Sequence, residues 1–152
     1  MNAEKKSVLI VEDDTAILKS LKAILQSEGY SVDTAETGRE AIQKSNAQFY
    51  NLVLLDIKLP DMEGTKLLTT MHETSPKMVK IMITGYPSVE NAVESLNQGA
   101  DAYLMKPVKP EKLLALIEEK LEKQSQAEKM TEKKVVDWIK TRALKLEDDS
   151  QQ

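Results

Sequence analysis

At 152 residues, with 41% apolar and 30% charged positions, the chain holds material for one hydrophobic core and a short appendage. A net charge of −4 gives no overall electrostatic reason to bind nucleic acid or an anionic membrane, and leaves room only for a local basic patch. The absence of cysteine excludes a disulfide framework and a thiolate metal site, and the apolar run Val8 to Val11 is far too short for a signal peptide or a membrane span, so a cytoplasmic protein is expected.

From Ser7 to Leu121 the chain alternates short aliphatic runs with longer helical patterns, which implies an α/β fold with a parallel sheet covered on both faces. Ser7 to Val11 is the first strand. Thr15 to Ser27 follows as a helix with Ile17, Leu18, Leu21, Ile24 and Leu25 on one face, and Gly29 can end it in the left-handed conformation. Tyr30 to Ala35 reads as the second strand. Thr37 then opens a helix, its spacing to Glu40 being that of a capping box. Leu52 to Leu55 is the third strand, followed by a helix from near Gly64. Val79 to Ile83 is the fourth, after which Ser88, behind Pro87, is placed to cap a helix. Ala102 to Met105 is the fifth, and Pro110 suits the first turn of the helix that follows.

After about Leu121 the character shifts, Glu122 to Glu132 being nearly all polar, so a boundary is expected there: residues 5–123 as one domain, 124–152 as a helical tail. In the tail Val135, Trp138, Ile139, Ala143 and Leu146 return to helical spacing, and Ser125 and Glu128 are spaced as another capping box. No Gly or Pro occurs after Pro110, which leaves continuity between the tail and the last domain helix open.

In open parallel sheets ligands bind outside the carboxyl ends of the strands, so the polar residues just past each strand should converge. Here these are Glu12, Asp13 and Asp14 after the first strand, Asp56 at the end of the third, Thr84 after the fourth, and Lys106–Pro107 after the fifth. Crowded carboxylates raise one another's pKa, a cost that a cation relieves, and an all-oxygen set favours Mg²⁺. Asp56, leaving a buried strand, is the candidate nucleophile, and attack on phosphorus would give an acyl phosphate on the protein. Glu12 and Asp13 would hold the metal, Lys106 would pair with a phosphoryl oxygen, and the Thr84 hydroxyl would donate to another. The Lys106–Pro107 bond is a candidate cis peptide that would turn the lysine inward. For Asp14 the plainer role, capping the first helix, is favoured. His72, alone on a polar helix surface, reads as solvated.

The segments VLIVEDD, LVLLDIKLPDMEG, IMITGYPS and GADAYLMKP, in this order, closely resemble the receiver domains of two-component response regulators, over roughly Ser7 to Leu121. The resemblance implies a flavodoxin-like, doubly wound five-stranded parallel sheet of order 2-1-3-4-5 with five helices, here with a C-terminal helical extension. It implies Asp56 as phospho-acceptor, Glu12 and Asp13 as the acidic metal pair, Thr84 as the switch hydroxyl and Lys106 as the phosphate-binding lysine. The backbone carbonyl of Lys58 would join the Mg²⁺ ligands, and the side chains of Lys58 and Tyr86 sit where the family varies its dephosphorylation rate. Tyr103 matches an aromatic ring that turns inward on activation. A chain of this kind is a signalling switch that catalyses its own phosphorylation and dephosphorylation, not an enzyme in the usual sense. Its expected partners are a sensor histidine kinase and a downstream protein read through the face of the fourth helix, fifth strand and fifth helix.

The alternative from another class is a phosphatase-like enzyme of the haloacid dehalogenase type with an aspartyl nucleophile. Such enzymes need a second aspartate two residues on, where this chain has Lys58. A nucleotide-binding Rossmann domain fares worse, because its first turn requires glycines that let the backbone approach pyrophosphate, whereas here Glu12, Asp13 and Asp14 would repel it. The tail is too short for a DNA-reading domain, and its charge is nearly balanced, so neither nucleic acid nor membrane is expected as a partner. Its apolar stripe is expected to pack on the receiver, on a downstream protein, or on a second subunit in a homodimer through the last receiver helix or the tail, although heptads are not sustained through the polar segment.

Overall fold

The computed structural model describes residues 5–85 and 88–150. Five strands, β1 (Ser7–Val11), β2 (Ser31–Ala35), β3 (Leu52–Asp56), β4 (Val79–Thr84) and β5 (Ala102–Met105), alternate with α1 (Thr15–Ser27), α2 (Gly38–Ala47), α3 (Gly64–Thr74), α4 (Val89–Asn97) and α5 (Pro110–Ser150). All pairings are parallel and the sheet order is β2-β1-β3-β4-β5. The interior strands β3 and β4 are buried along their whole length, which is why they read as largely apolar runs, with Lys80 the one charged residue inside them before their site-bearing ends, Asp56 and Thr84.

Alternation along each strand sends side chains to two separate cores. Val8, Ile10, Leu52, Leu54, Ile81 and Ile83 pack under α1 and α5 with Leu18, Leu25, Leu113 and Ile117. On the other face Leu9, Val11, Val53, Leu55 and Met82 meet Ala41, Leu67, Leu68 and Met71 of α2 and α3. With both faces sealed, the open end of the sheet is the one where β1, β3, β4 and β5 deliver their next residues.

Local signals account for most boundaries. Gly29, at φ +91°, closes α1: its amide donates to the Gln26 carbonyl and that of Tyr30 to Leu25, the paired bonds of a glycine-ended helix. Tyr30 therefore belongs to this turn, and β2 starts one residue later than its β-branched pattern suggested. The Thr37 hydroxyl accepts from the Glu40 amide at 3.1 Å, as its spacing predicts; the Glu40 carboxylate reaches past Thr37 to the Glu36 amide, also at 3.1 Å. Tyr86 and Pro87 lie outside the described residues.

At the C-terminus α5 runs unbroken for 41 residues. The Ser125/Glu128 pair starts no helix: Ser125 is inside α5, its hydroxyl accepting from the Lys6 ammonium at 3.4 Å. Nor does packing stop at Leu121. Gln124 is 9% exposed, and its amide nitrogen donates to the Asn51 and Lys77 carbonyls at 3.0 and 2.9 Å, so the helix is tied to the sheet for one turn more.

Candidate functional site

The carboxyl end of β1 passes straight into Glu12, whose amide stays in the sheet by donating to the Ala35 carbonyl at 3.0 Å. Its side chain is therefore held inward, at 3% exposure, while Asp13 is exposed. Asp14 turns away from the cluster: its carboxylate accepts from the Ala16 and Ile17 amides at 3.0 and 3.1 Å and caps α1. Asp56, 6% exposed, ends β3, and Glu12, Asp13 and Asp56 each bring a carboxylate oxygen within 4.8 Å of the others.

The cation comes from the far side of the sheet. The Lys106 amide donates to the Thr84 carbonyl at 2.7 Å, which holds the chain after β5 beside the end of β4, and the Lys106–Pro107 peptide is cis. The ammonium lies 2.9 Å from Asp56 Oδ2 and 2.9 and 3.0 Å from the two Glu12 oxygens. Thr84 is fully buried at the end of β4. The structure thus collects the acids, the hydroxyl and the lysine from four strands at one end of the sheet.

Electrostatically the pocket is short of positive charge. Burial pushes the Glu12 carboxyl up to about 7, hydrogen bonding to Lys106 opposes the rise, and the charge of Asp56 adds to it. Burial pulls the Lys106 ammonium down, but its bonds to Glu12 and Asp56 outweigh this and leave it above its ordinary value. One ammonium therefore serves two buried carboxylates. This all-oxygen donor set fits a hard divalent cation, Mg²⁺ being the natural one.

The loop after β3 is built against the acceptor. A Cβ on Gly64 would stand 1.9 Å from the Asp56 carbonyl oxygen and 2.7 Å from Ile57 Cα, so only glycine lets α3 start there. Lys58 and Glu63 form an isolated bridge across the loop, and the Lys58 amide lies 3.4 Å from Asp56 Oδ1. Asp61 reaches across to accept from the Gly38 and Arg39 amides at 2.8 and 3.0 Å, bonds that hold its carboxyl below the usual range. Tyr103 packs on the core under α2 and α3, and its buried hydroxyl has no hydrogen bond among the described residues.

Three features escape sequence reasoning. Lys80 is fully buried in β4, its ammonium donating to the Ser75 and Met78 carbonyls at 2.7 Å each, and burial lowers its pKa. A lysine in a strand gives no signal of that. The Gly64 contact is equally silent, since glycine at a helix start has many causes. Gln124 did carry a signal: it continues the Leu113, Ile117, Leu121 stripe by one step. His72 is exposed on α3, away from the acids.

Residues 8–118 match the response regulator receiver domain. The chain belongs to this family. The cell cycle response regulator CtrA of Brucella ovis is 37% identical over 110 residues, covering 72% of this chain and 47% of that protein, so the chain spans about half the length of the curated relatives it matches. Among solved structures, a CheY-like receiver domain protein from Methanospirillum hungatei is 57% identical at a TM-score of 0.80, covering 82% of this chain and 99% of that one. The beryllofluoride-activated NtrC4 receiver domain dimer is 41% identical at a TM-score of 0.75, covering 78% of this chain and 98% of its own. The receiver is a signalling switch of two-component systems; the haloacid dehalogenase reading finds no support in these likenesses. Among the described residues no helix is long and apolar enough to cross a membrane.

Proposed function

We propose that this receiver accepts a phosphoryl group on Asp56 from the phosphohistidine of a sensor kinase in the cytoplasm. One observation carries the reading: the carboxylates of Glu12, Asp13 and Asp56 converge at one end of the sheet with the Lys106 ammonium lodged between two of them. An Asp56 oxygen bonds to phosphorus as the phosphorus–nitrogen bond breaks, and the imidazole leaves with that electron pair. Lys106 then exchanges its contact with Asp56 for one with a phosphoryl oxygen. The buried Thr84 hydroxyl stands at the end of the neighbouring strand to meet another, and Tyr103 follows as the switch ring. Attack by water on phosphorus releases phosphate and restores the carboxylate.

Glu12, Asp13, Asp56 and the backbone carbonyl of Lys58 would hold Mg²⁺. When bound, the ion neutralises charge on the transferring group. Beside the site a groove of about 540 Å³, lined by Ile17, Leu21, Ile24, Lys106, Pro107 and Val108 among others, gives an apolar seat for the kinase helix that presents the histidine. On the output face Val93, Leu96 and Met105 are 51%, 51% and 60% exposed, which suits a downstream protein. Residues 5–123 form the receiver in this reading, and 124–152 the tail.

The test is incubation with acetyl phosphate and Mg²⁺ followed by intact-mass measurement. Wild type should gain one phosphoryl group and Asp56→Asn none. An undiminished gain on the variant, or no gain on wild type, would refute Asp56 as the acceptor.

A further inference from the structure

Past Ser125, whose hydroxyl still meets Lys6, the last helix leaves the receiver behind. Every described side chain from Gln126 to Leu146 is exposed, with Val135 at 51%, Trp138 at 62%, Ile139 at 54% and Leu146 at 67%. A helix with no tertiary contacts is marginal in water and is normally held by burial of its apolar face. The charges on that face say what covers it.

Steps of four and three residues, the spacing of a seam between paired helices, run through Glu128, Glu132, Val135, Ile139, Arg142 and Leu146. The seam carries acids at one end, aliphatic side chains in the middle, and Arg142 with the adjacent Lys145 towards the other end. An anionic membrane would meet Glu128 and Glu132 as like charges. A second copy lying parallel and in register would set Glu132 against Glu132 and Arg142 against Arg142. Turned antiparallel about position 137, the same seam is self-complementary. Glu132 of each copy then faces Arg142 of the other, Val135 faces Ile139, and Glu128 falls beside Leu146 and Lys145. Trp138 flanks the seam, with the Arg142 guanidinium 5.4 Å from its ring centroid, and widens the apolar contact.

We propose that residues 128–146 of two copies pair antiparallel through this seam, making the tail a self-association element. The contact is about 28 Å long and holds few apolar layers, so the dimer forms at micromolar rather than nanomolar concentration. It is independent of the Asp56 reading, because no residue of the seam touches the acidic site.

Sedimentation equilibrium of the full chain from about 1 to 500 µM should show a monomer–dimer equilibrium, with Trp138 emission shifting to the blue as dimer forms. Glu132→Arg alone, or Arg142→Glu alone, should weaken the dimer about tenfold. The double variant E132R/R142E should regain it, since the facing pair is restored with signs exchanged. The chain has no cysteine, so Val135→Cys mixed with Ile139→Cys should cross-link with each other in preference to themselves. Acetyl phosphate labelling of Asp56 in each variant shows that the receiver remains folded. A monomer throughout, self-cross-linking of each cysteine variant in preference to the mixture, single charge reversals without effect, or a monomeric tail that sediments with anionic vesicles would each overturn the proposal.

Discussion

Replacing Lys106 by methionine separates the site's electrostatics from its packing. The ammonium touches Asp56 and both oxygens of Glu12 at 2.9–3.0 Å, and these carboxylates are 6% and 3% exposed. Breaking a buried ion pair by removing one partner costs about 3–5 kcal/mol, because the remaining charge is stranded. Here the cost must depend on pH. In wild type the Glu12 carboxyl already sits at about 7, above its ordinary 4.5. The variant loses the two Lys106 influences that hold it down and keeps those of burial and Asp56, so its pKa rises further. The folded state then binds more protons than the unfolded one from about pH 4.5 upward, and stability falls as pH rises through that window. Urea denaturation should show the variant less stable than wild type at both about pH 5.5 and about pH 8, with the deficit clearly larger at about pH 8, and millimolar Mg²⁺ recovering part of the loss. A deficit that is equal at both pH values, or larger in acid, would refute the argument that Lys106 offsets two buried charges.

Gly64→Ala should destabilise by at least about 3 kcal/mol in the same assay, since the methyl meets the backbone of Asp56 and Ile57 and no flexible side chain can yield. Asp14→Ala should cost about 1 kcal/mol through the lost cap while leaving Mg²⁺ affinity by calorimetry unchanged. Asp13→Ala should show the reverse, with little change in stability and a clear loss of Mg²⁺ affinity. Tyr103→Phe removes a buried hydroxyl that has no hydrogen bond among the described residues, so the unphosphorylated protein should be more stable by about 1 kcal/mol, read as a higher Tm.

The fold was legible because buried parallel strands read as mainly apolar runs, and the polar residue after each run has nowhere to go but the open end of the sheet. Glu12, Asp56, Thr84 and Lys106 could be grouped on that rule alone. The plainer reading of Asp14 as a cap also follows from its neighbours, and its carboxylate does meet the first free amides of α1. The tail misled for a local reason. Ser125 and Glu128 have capping-box spacing, but a cap forms only where the preceding residues leave the helix, and nothing before them does. The helix continues, and the Ser125 hydroxyl accepts a hydrogen bond from the Lys6 ammonium instead.

The sequence by itself determined which residues reach the site, because strand periodicity and chain order are one-dimensional properties. Only the tertiary structure decided how they share charge. A single ammonium lies between Glu12 and Asp56, Gly64 lies against the acceptor's carbonyl, and Gln124 is drawn against the segments that lead into β3 and β4. Each of these depends on distances between segments far apart in the chain. Burial, which moves the Glu12 carboxyl to about 7, is likewise a property of the packed core that no local pattern contains.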